Sequence, residues 1–158
     1  YYDAGVAKEL ALSMINDNNC DIIWGVAGQA GNGAAEAAFE TKKAYFIGVD
    51  SDQELTLSSD LAAITLTSGL KNIGQSLIWF FDEWDAGRTY WGQEINLGLL
   101  QGGVGIATDK NFASLVPQTV QDKVLAAQEA VQNGSIKVPT AIGDTTNSAV
   151  TLRDSMQP

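Results

Sequence analysis

Two aspartates, Asp50 and Asp52, stand where an apolar run gives way to a turn, and upstream of them lies a glycine-rich loop, Gly28-Gln29-Ala30-Gly31-Asn32-Gly33. Side chains two apart on an extended chain point the same way, so the two carboxylates share one side for as long as that geometry persists. A carboxylate so placed accepts hydrogen bonds from two vicinal hydroxyls of a sugar. Paired carboxylates also serve glycoside hydrolysis, but that reaction needs an acid and a base or nucleophile on opposite sides of one bond, and here both come from a single loop. Binding is therefore preferred over catalysis. For Asp52, capping of the following turn is favoured over contact with a ligand.

The glycine loop runs Gly28-x-x-Gly31-x-Gly33, which inverts the G-x-G-x-x-G order of a dinucleotide fingerprint and lacks the Gly-Lys-Ser/Thr of a phosphate-binding P-loop. Two readings stay open: the glycines make a strand-to-helix turn, or their backbone N–H groups face a bound polar ligand. A third candidate is Lys71, which follows Thr67-Ser68 and is expected in the first turn of a helix. The helix dipole disfavours a cation there. On the residues alone Lys71 is read as pointing into solvent, in preference to being held by a local acceptor such as Asp50 or a ligand heteroatom.

The elements that carry these residues follow from periodicity. Apolar positions recurring four apart from Val6 to Ile15 mark a helix, with Asp3 as N-cap, ending at Asn16-Asp17-Asn18-Asn19. Asp21 to Val26 reads as a buried strand, Ala34 to Thr41 as a short Ala-rich helix, and the next apolar run, to Asp52, as a second strand: a βαβ unit. Leu61 to Leu66 reads as a third strand, with Thr67-Ser68 capping a long aromatic helix from Gly69 to about Ala86. Its Trp79, Phe80, Phe81 and Trp84 are read as filling a core or an inter-domain face, in preference to stacking on a ligand. Glu94 to Leu99 and Val104 to Ala107 read as a hairpin, and 119–131 as a helix closed by Asn133-Gly134. The fold class is α/β with a mostly parallel sheet. Ligands of such sheets sit outside the carboxyl ends of the strands.

Composition narrows the chemistry. At 158 residues and 45% hydrophobic content the chain has the size of one globular domain. Nineteen acidic residues against nine basic give a net charge of −10, which repels nucleic acid and anionic lipid. There is no histidine, so the commonest general base and metal ligand is missing. The single Cys20 reads as an inert, partly buried thiol. No apolar run approaches the roughly 20 residues of a spanning helix. Tyr1-Tyr2 reads as the middle of a protein and not its start.

Taken together, Val26-Ala27-Gly28-x-x-Gly31-x-Gly33, Ile47-Gly48-Val49-Asp50-Ser51-Asp52-Gln53, Leu66-Thr67-Ser68-x-x-Lys71, Gly102-Gly103-Val104-Gly105 and Gly134-x-Ile136-x-Val138-Pro139 resemble, in order and spacing, the basic membrane protein family of ABC-transporter solute-binding lipoproteins. The best understood members of that family are bacterial purine nucleoside receptors. The Gly-Val-Asp-Ser-Asp-Gln string is the most specific part. The resemblance covers residues 1–139 and leaves 140–158 as a polar tail. It implies a three-layer α/β lobe of a type I periplasmic-binding-protein fold, closing with a second lobe on a nucleoside. It also implies that an aromatic residue, Tyr1 or Tyr2, stacks on the base, that Gly28 offers a backbone contact, that Asp50 holds ribose hydroxyls and that Lys71 contacts base or sugar. Gln29-Ala30 and Asn32 depart from the Gly-Thr and apolar residue usual in the family.

The resemblance implies no catalysis and no cofactor. The implied partners are a small-molecule nucleoside and an ABC-transporter permease, and the implied place is outside the cytoplasm, anchored to the membrane through a lipid that this chain does not carry. The first lobe belongs upstream, so the chain is expected to be a fragment. Two rivals remain: a nucleotide- or NAD-dependent Rossmann-type enzyme, and a small-molecule sensor built on the same lobe.

Overall fold

The computed structural model describes residues 2–138 together with 151, 154 and 155. Tyr1, Pro139 and most of the 140–158 tail lie outside the described residues.

Asp3 opens the first helix, α1 (Ala4–Asp17), its carboxylate accepting from the Val6 N–H at 3.0 Å. A short strand, β1 (Ile22–Trp24), leads through a 3-10 turn (Gly28–Ala30) into α2 (Gly31–Thr41) and then β2 (Tyr45–Asp50). A second 3-10 turn (Gln53–Leu55) and a one-turn helix, α3 (Ser59–Ala62), bring the chain to β3 (Thr65–Lys71). Beyond it come α4 (Ile73–Asp85), β4 (Val104–Ile106), α5 (Lys110–Leu115) and α6 (Gln118–Gln132). The sheet order is β1-β2-β3-β4, with the first three strands parallel and β4 antiparallel to β3.

The core lies between one face of this sheet and the α1–α2 pair. Ala11 and Ile15 of α1 meet Ala34, Ala35, Ala37 and Ala38 of α2, over Ile23 and Phe46 of the sheet. Alanines let the helices approach closely, and at Gly33 even a methyl group is excluded, since a Cβ there would lie 1.9 Å from the Ala4 carbonyl oxygen. Phe46 is the largest of the fully buried side chains among the described residues. Truncating it to Ala would cost about 3–5 kcal/mol.

Four expectations from sequence are corrected. The third strand is not 61–66 but Thr65–Lys71, and Leu61 and Ala62 close α3. Gly69 and Leu70 pair on both sides, with β2 (Val49↔Gly69, Asp50↔Leu70) and with β4 (Gly69↔Ile106, Leu70↔Gly105), Lys71 pairs with Val104 of β4, and this ladder outweighs their local helical pattern. Thr67 and Ser68 accordingly cap nothing: the Thr67 hydroxyl donates to the Ala107 carbonyl at 2.6 Å, and the Ser68 hydroxyl is fully buried. Lys71 therefore ends a strand, and the helix-dipole argument does not apply to it. The hairpin also fails. Residues 94–99 form no strand, because the chain folds into a turn in which the Gly103 N–H donates to the Gly98 carbonyl at 3.0 Å, and β4 pairs with β3 instead. Helices α3 and α5 were not anticipated from the sequence.

Helix α4 and the segment after it pack mainly on each other. Trp79 stacks on Tyr90 at 5.4 Å between centroids, and Trp84 meets Trp91 edge-on at 5.4 Å. Arg88 and Tyr90 both donate to the Glu83 carboxylate, which these two donors, Arg88 first, hold at about 2 against an ordinary 4.5. Much of the apolar surface of α4 nevertheless stays bare: Ile73, Leu77, Ile78 and Phe81 are all more than half exposed.

Candidate ligand-binding site at the carboxyl ends of the strands

The glycine loop leaves β1 at Gly25, whose N–H donates to the Ile47 carbonyl at 3.0 Å. A Cβ on Gly25 would meet the Phe46 ring at 2.6 Å, and one on Gly31 would meet the Gly25 carbonyl oxygen at 2.7 Å. Close packing thus accounts for Gly25 and Gly31. Gly28 is different: it has a φ of 56°, the left-handed region, and lines an open concavity of about 280 Å³ together with Asn32, Val49, Asp50, Ser51 and Gln53.

Asp50 ends β2 with a φ of 69°. The Ser51 N–H returns to the Val49 carbonyl at 2.8 Å. This closes a three-residue γ-turn centred on Asp50, in the positive-φ form that is rare and strained. Aspartate tolerates that region better than most side chains, and such a residue still stores on the order of 1–3 kcal/mol that its surroundings must offset. Extended geometry ends at Asp50, so the expected pairing of Asp50 with Asp52 on one side has no basis. Asp52 caps the next turn, its Oδ1 accepting from the Glu54 N–H at 3.2 Å.

Lys71 reaches Asp50 from the neighbouring strand, Nζ to Oδ1 at 2.9 Å. Both side chains are more than half exposed. A pair like this contributes about 0–1 kcal/mol to stability, so its effect is to orient two charged groups at the mouth of the concavity. The solvent position preferred for Lys71 on the residues alone is thus corrected: the side chain is exposed but held, with Asp50 as its acceptor.

Tyr2 is 89% exposed and does not line the concavity. It lies two residues before Ala4, whose carbonyl abuts Gly33. Tyr1 falls outside the described residues. Among the expected site residues, then, the structure brings together Gly28, Asp50 and Lys71. Five residues of the concavity were not assigned to the site from sequence: Gln29, Asn32, Val49, Ser51 and Gln53. Gln53 closes the Asp50-Ser51-Asp52-Gln53 string, and its place there is the only signal that would have drawn attention to it.

A larger, mainly apolar cavity of about 420 Å³ lies on the other face of the sheet, among Ile22, Tyr45, Ile47, Phe112, Val116 and Val120. It gathers few polar groups and sits away from the strand ends.

Residues 1–141 match the model of the family described as ABC transporter substrate-binding protein PnrA-like, or Bmp. The chain belongs to this family. Among Bmp relatives it is 30% identical over 139 residues to basic membrane protein D of Borreliella burgdorferi, covering 87% of this chain and 39% of that protein. It is 26% identical over 152 residues to a protein of Lactococcus lactis named ABC transporter nucleoside-binding protein BmpA, covering 89% and 42%. The chain thus spans about two fifths of the length of these relatives.

The Bmp chain shares its fold with a solute-binding protein of an ABC transporter system from Aeropyrum pernix, with a TM-score of 0.70 at 22% identity over 96% of this chain and 48% of that one. A transcriptional activator of the comK gene from Bacillus halodurans gives the same TM-score at 19% identity, over 89% and 46%. At these identities the likeness concerns the fold alone. The α/β lobe with a mostly parallel sheet is that of periplasmic-binding-type proteins.

Proposed function

We propose that the chain forms one lobe of a two-lobed receptor that binds a purine nucleoside, without catalysis, and hands it to an ABC-transporter permease. The observation that carries this reading is the Asp50–Lys71 pair beside Gly28, at the carboxyl end of a parallel sheet, in a chain of the Bmp family. The Asp50 carboxylate accepts hydrogen bonds from two ribose hydroxyls, and Lys71 donates to an oxygen or nitrogen of base or sugar. Tyr1 or Tyr2, at the entry to α1, stacks on the base from the margin of the cleft. The second lobe supplies the facing wall, and closure about a hinge traps the ligand. The bare apolar surface of α4 lies against that lobe. The receptor acts outside the cytoplasm, held to the membrane by a lipid anchor on another part of the protein; no helix among the described residues is long and apolar enough to cross a membrane.

The fold by itself serves regulators as well as importers, and the family match favours import. A thermal-shift panel on the full-length natural protein tests the reading. Guanosine, adenosine or inosine at about 100 times the dissociation constant should stabilise by roughly 2.7 kcal/mol. Deoxynucleosides should shift less, and NAD and free sugars not at all. A shift with NAD alone would replace the receptor by an enzyme.

A further inference from the structure

We propose that Gln53 is the positioning residue of this site, and that its side chain holds the strained turn presenting Asp50 to the ligand. The proposal rests on the ligand-binding reading above and deepens it. Residues two apart on a strand direct their N–H and C=O groups to the same neighbouring strand. Ile47 faces β1, since its carbonyl accepts from the Gly25 N–H. Val49 therefore faces the same way, but β1 ends at Trp24, which is opposite Ile47. The Val49 N–H has run past its strand. Gln53 Oε1 accepts from it at 2.9 Å, standing in for the absent strand carbonyl.

The Val49 carbonyl is the acceptor that closes the γ-turn around Asp50. Both polar groups of Val49 are thus fixed, one by Ser51 and one by Gln53, and Asp50 follows directly.

Gln53 is anchored in turn. Its backbone N–H donates at 3.0 Å to the hydroxyl of Ser68, fully buried in the strand that carries Lys71. Its Nε2 lies 3.5 Å from Asn32 Oδ1, at the start of α2. Gly48 leaves the space this side chain occupies, because a Cβ there would meet Gln53 Cβ and Oε1 at 2.8 Å and Ser68 Oγ at 2.6 Å. One residue so ties the glycine-loop helix, the Asp50 turn and the Lys71 strand. It keeps the carboxylate and the ammonium at their separation before any ligand arrives.

The test uses the full-length natural protein. Gln53→Met fills the same space without the amide oxygen, while Gln53→Glu keeps an oxygen in that place. Met is expected to speed hydrogen exchange at the Val49 amide and to weaken guanosine or inosine binding about tenfold, the scale of one lost hydrogen bond. Glu should restore the protection. Unchanged Val49 exchange in the Met variant overturns the proposal, as does unchanged affinity when the parent protein binds nucleoside. If the parent binds no nucleoside while Val49 exchange responds as expected, the positioning role stands and the nucleoside reading falls. A through-hydrogen-bond scalar coupling between Val49 nitrogen and Gln53 Cδ, measured on the unaltered protein, tests the contact even if a variant does not fold. Its absence overturns the proposal.

Discussion

Asp50 combines a role in recognition with a backbone conformation that few residues accept, and the two can be separated by choice of substitution. Asparagine and glycine both tolerate a positive φ. Asp50→Asn should therefore keep the unfolding midpoint while losing the charged acceptor, and nucleoside affinity should fall by about 1.5–3 kcal/mol by calorimetry. Affinity equal to the parent's would remove Asp50 from the site. Lys71→Met should change stability by less than about 1 kcal/mol, as befits an exposed pair, yet weaken binding measurably. Asp50 was legible as a candidate because a carboxylate at a strand end is conspicuous; Lys71 was singled out as a cation misplaced at a helix start, and only the family resemblance made it a ligand contact. Gln53 was not legible, since its part depends on β1 stopping at Trp24, and a strand's last residue is poorly marked in a sequence.

The alanine run of α2 and the glycines around it make tight packing between elements, which a single methyl can probe. Gly33→Ala places a Cβ against the Ala4 carbonyl, so α1 must shift or unwind its first turn. A loss of about 1–3 kcal/mol in urea unfolding is expected, and an unchanged midpoint would mean that this end of α1 yields freely. Near the middle of the chain the Glu83 cluster gives a pH signature. A carboxyl held below its unfolded value stabilises fully above that value and ceases to do so as protons bind to the folded form. The docking of Arg88 and Tyr90 on α4 should then be complete above pH 4.5 and fade as pH falls towards about 2. Tryptophan fluorescence from Trp79, Trp84 and Trp91 reports it, and Glu83→Gln should abolish the low-pH step.

Elements were legible from sequence in proportion to their length and regularity. α1, with its Asp3 cap, and α6, with its Asn133-Gly134 stop, were anticipated within a residue or two. The boundary between β3 and α4 was misplaced because Gly69, Leu70 and Lys71 continue a helical apolar pattern backwards. Only pairing with β2 and β4, invisible in the local sequence, makes them strand.

At the level of the whole molecule, the exposed apolar residues of α4 depart from what a free-standing domain presents to water. On the two-lobed reading they form an internal contact. Phe81→Glu should then leave the stability of this chain alone almost unchanged, because Phe81 is 61% exposed in it. In the full-length protein the same change should lower the thermal midpoint and impair closure. Equal effects in both settings would detach α4 from the second lobe. Phe46 sets a different limit, on transplanting specificity. Its ring fills the space beside Gly25, the point where the glycine loop departs, so the route of that loop is dictated from inside the hydrophobic core. A loop grafted from a receptor with another preference would inherit this path whatever its sequence. Redesign has to work through exchangeable side chains such as Asn32 and Ser51, or replace Gly25 and Phe46 as one unit.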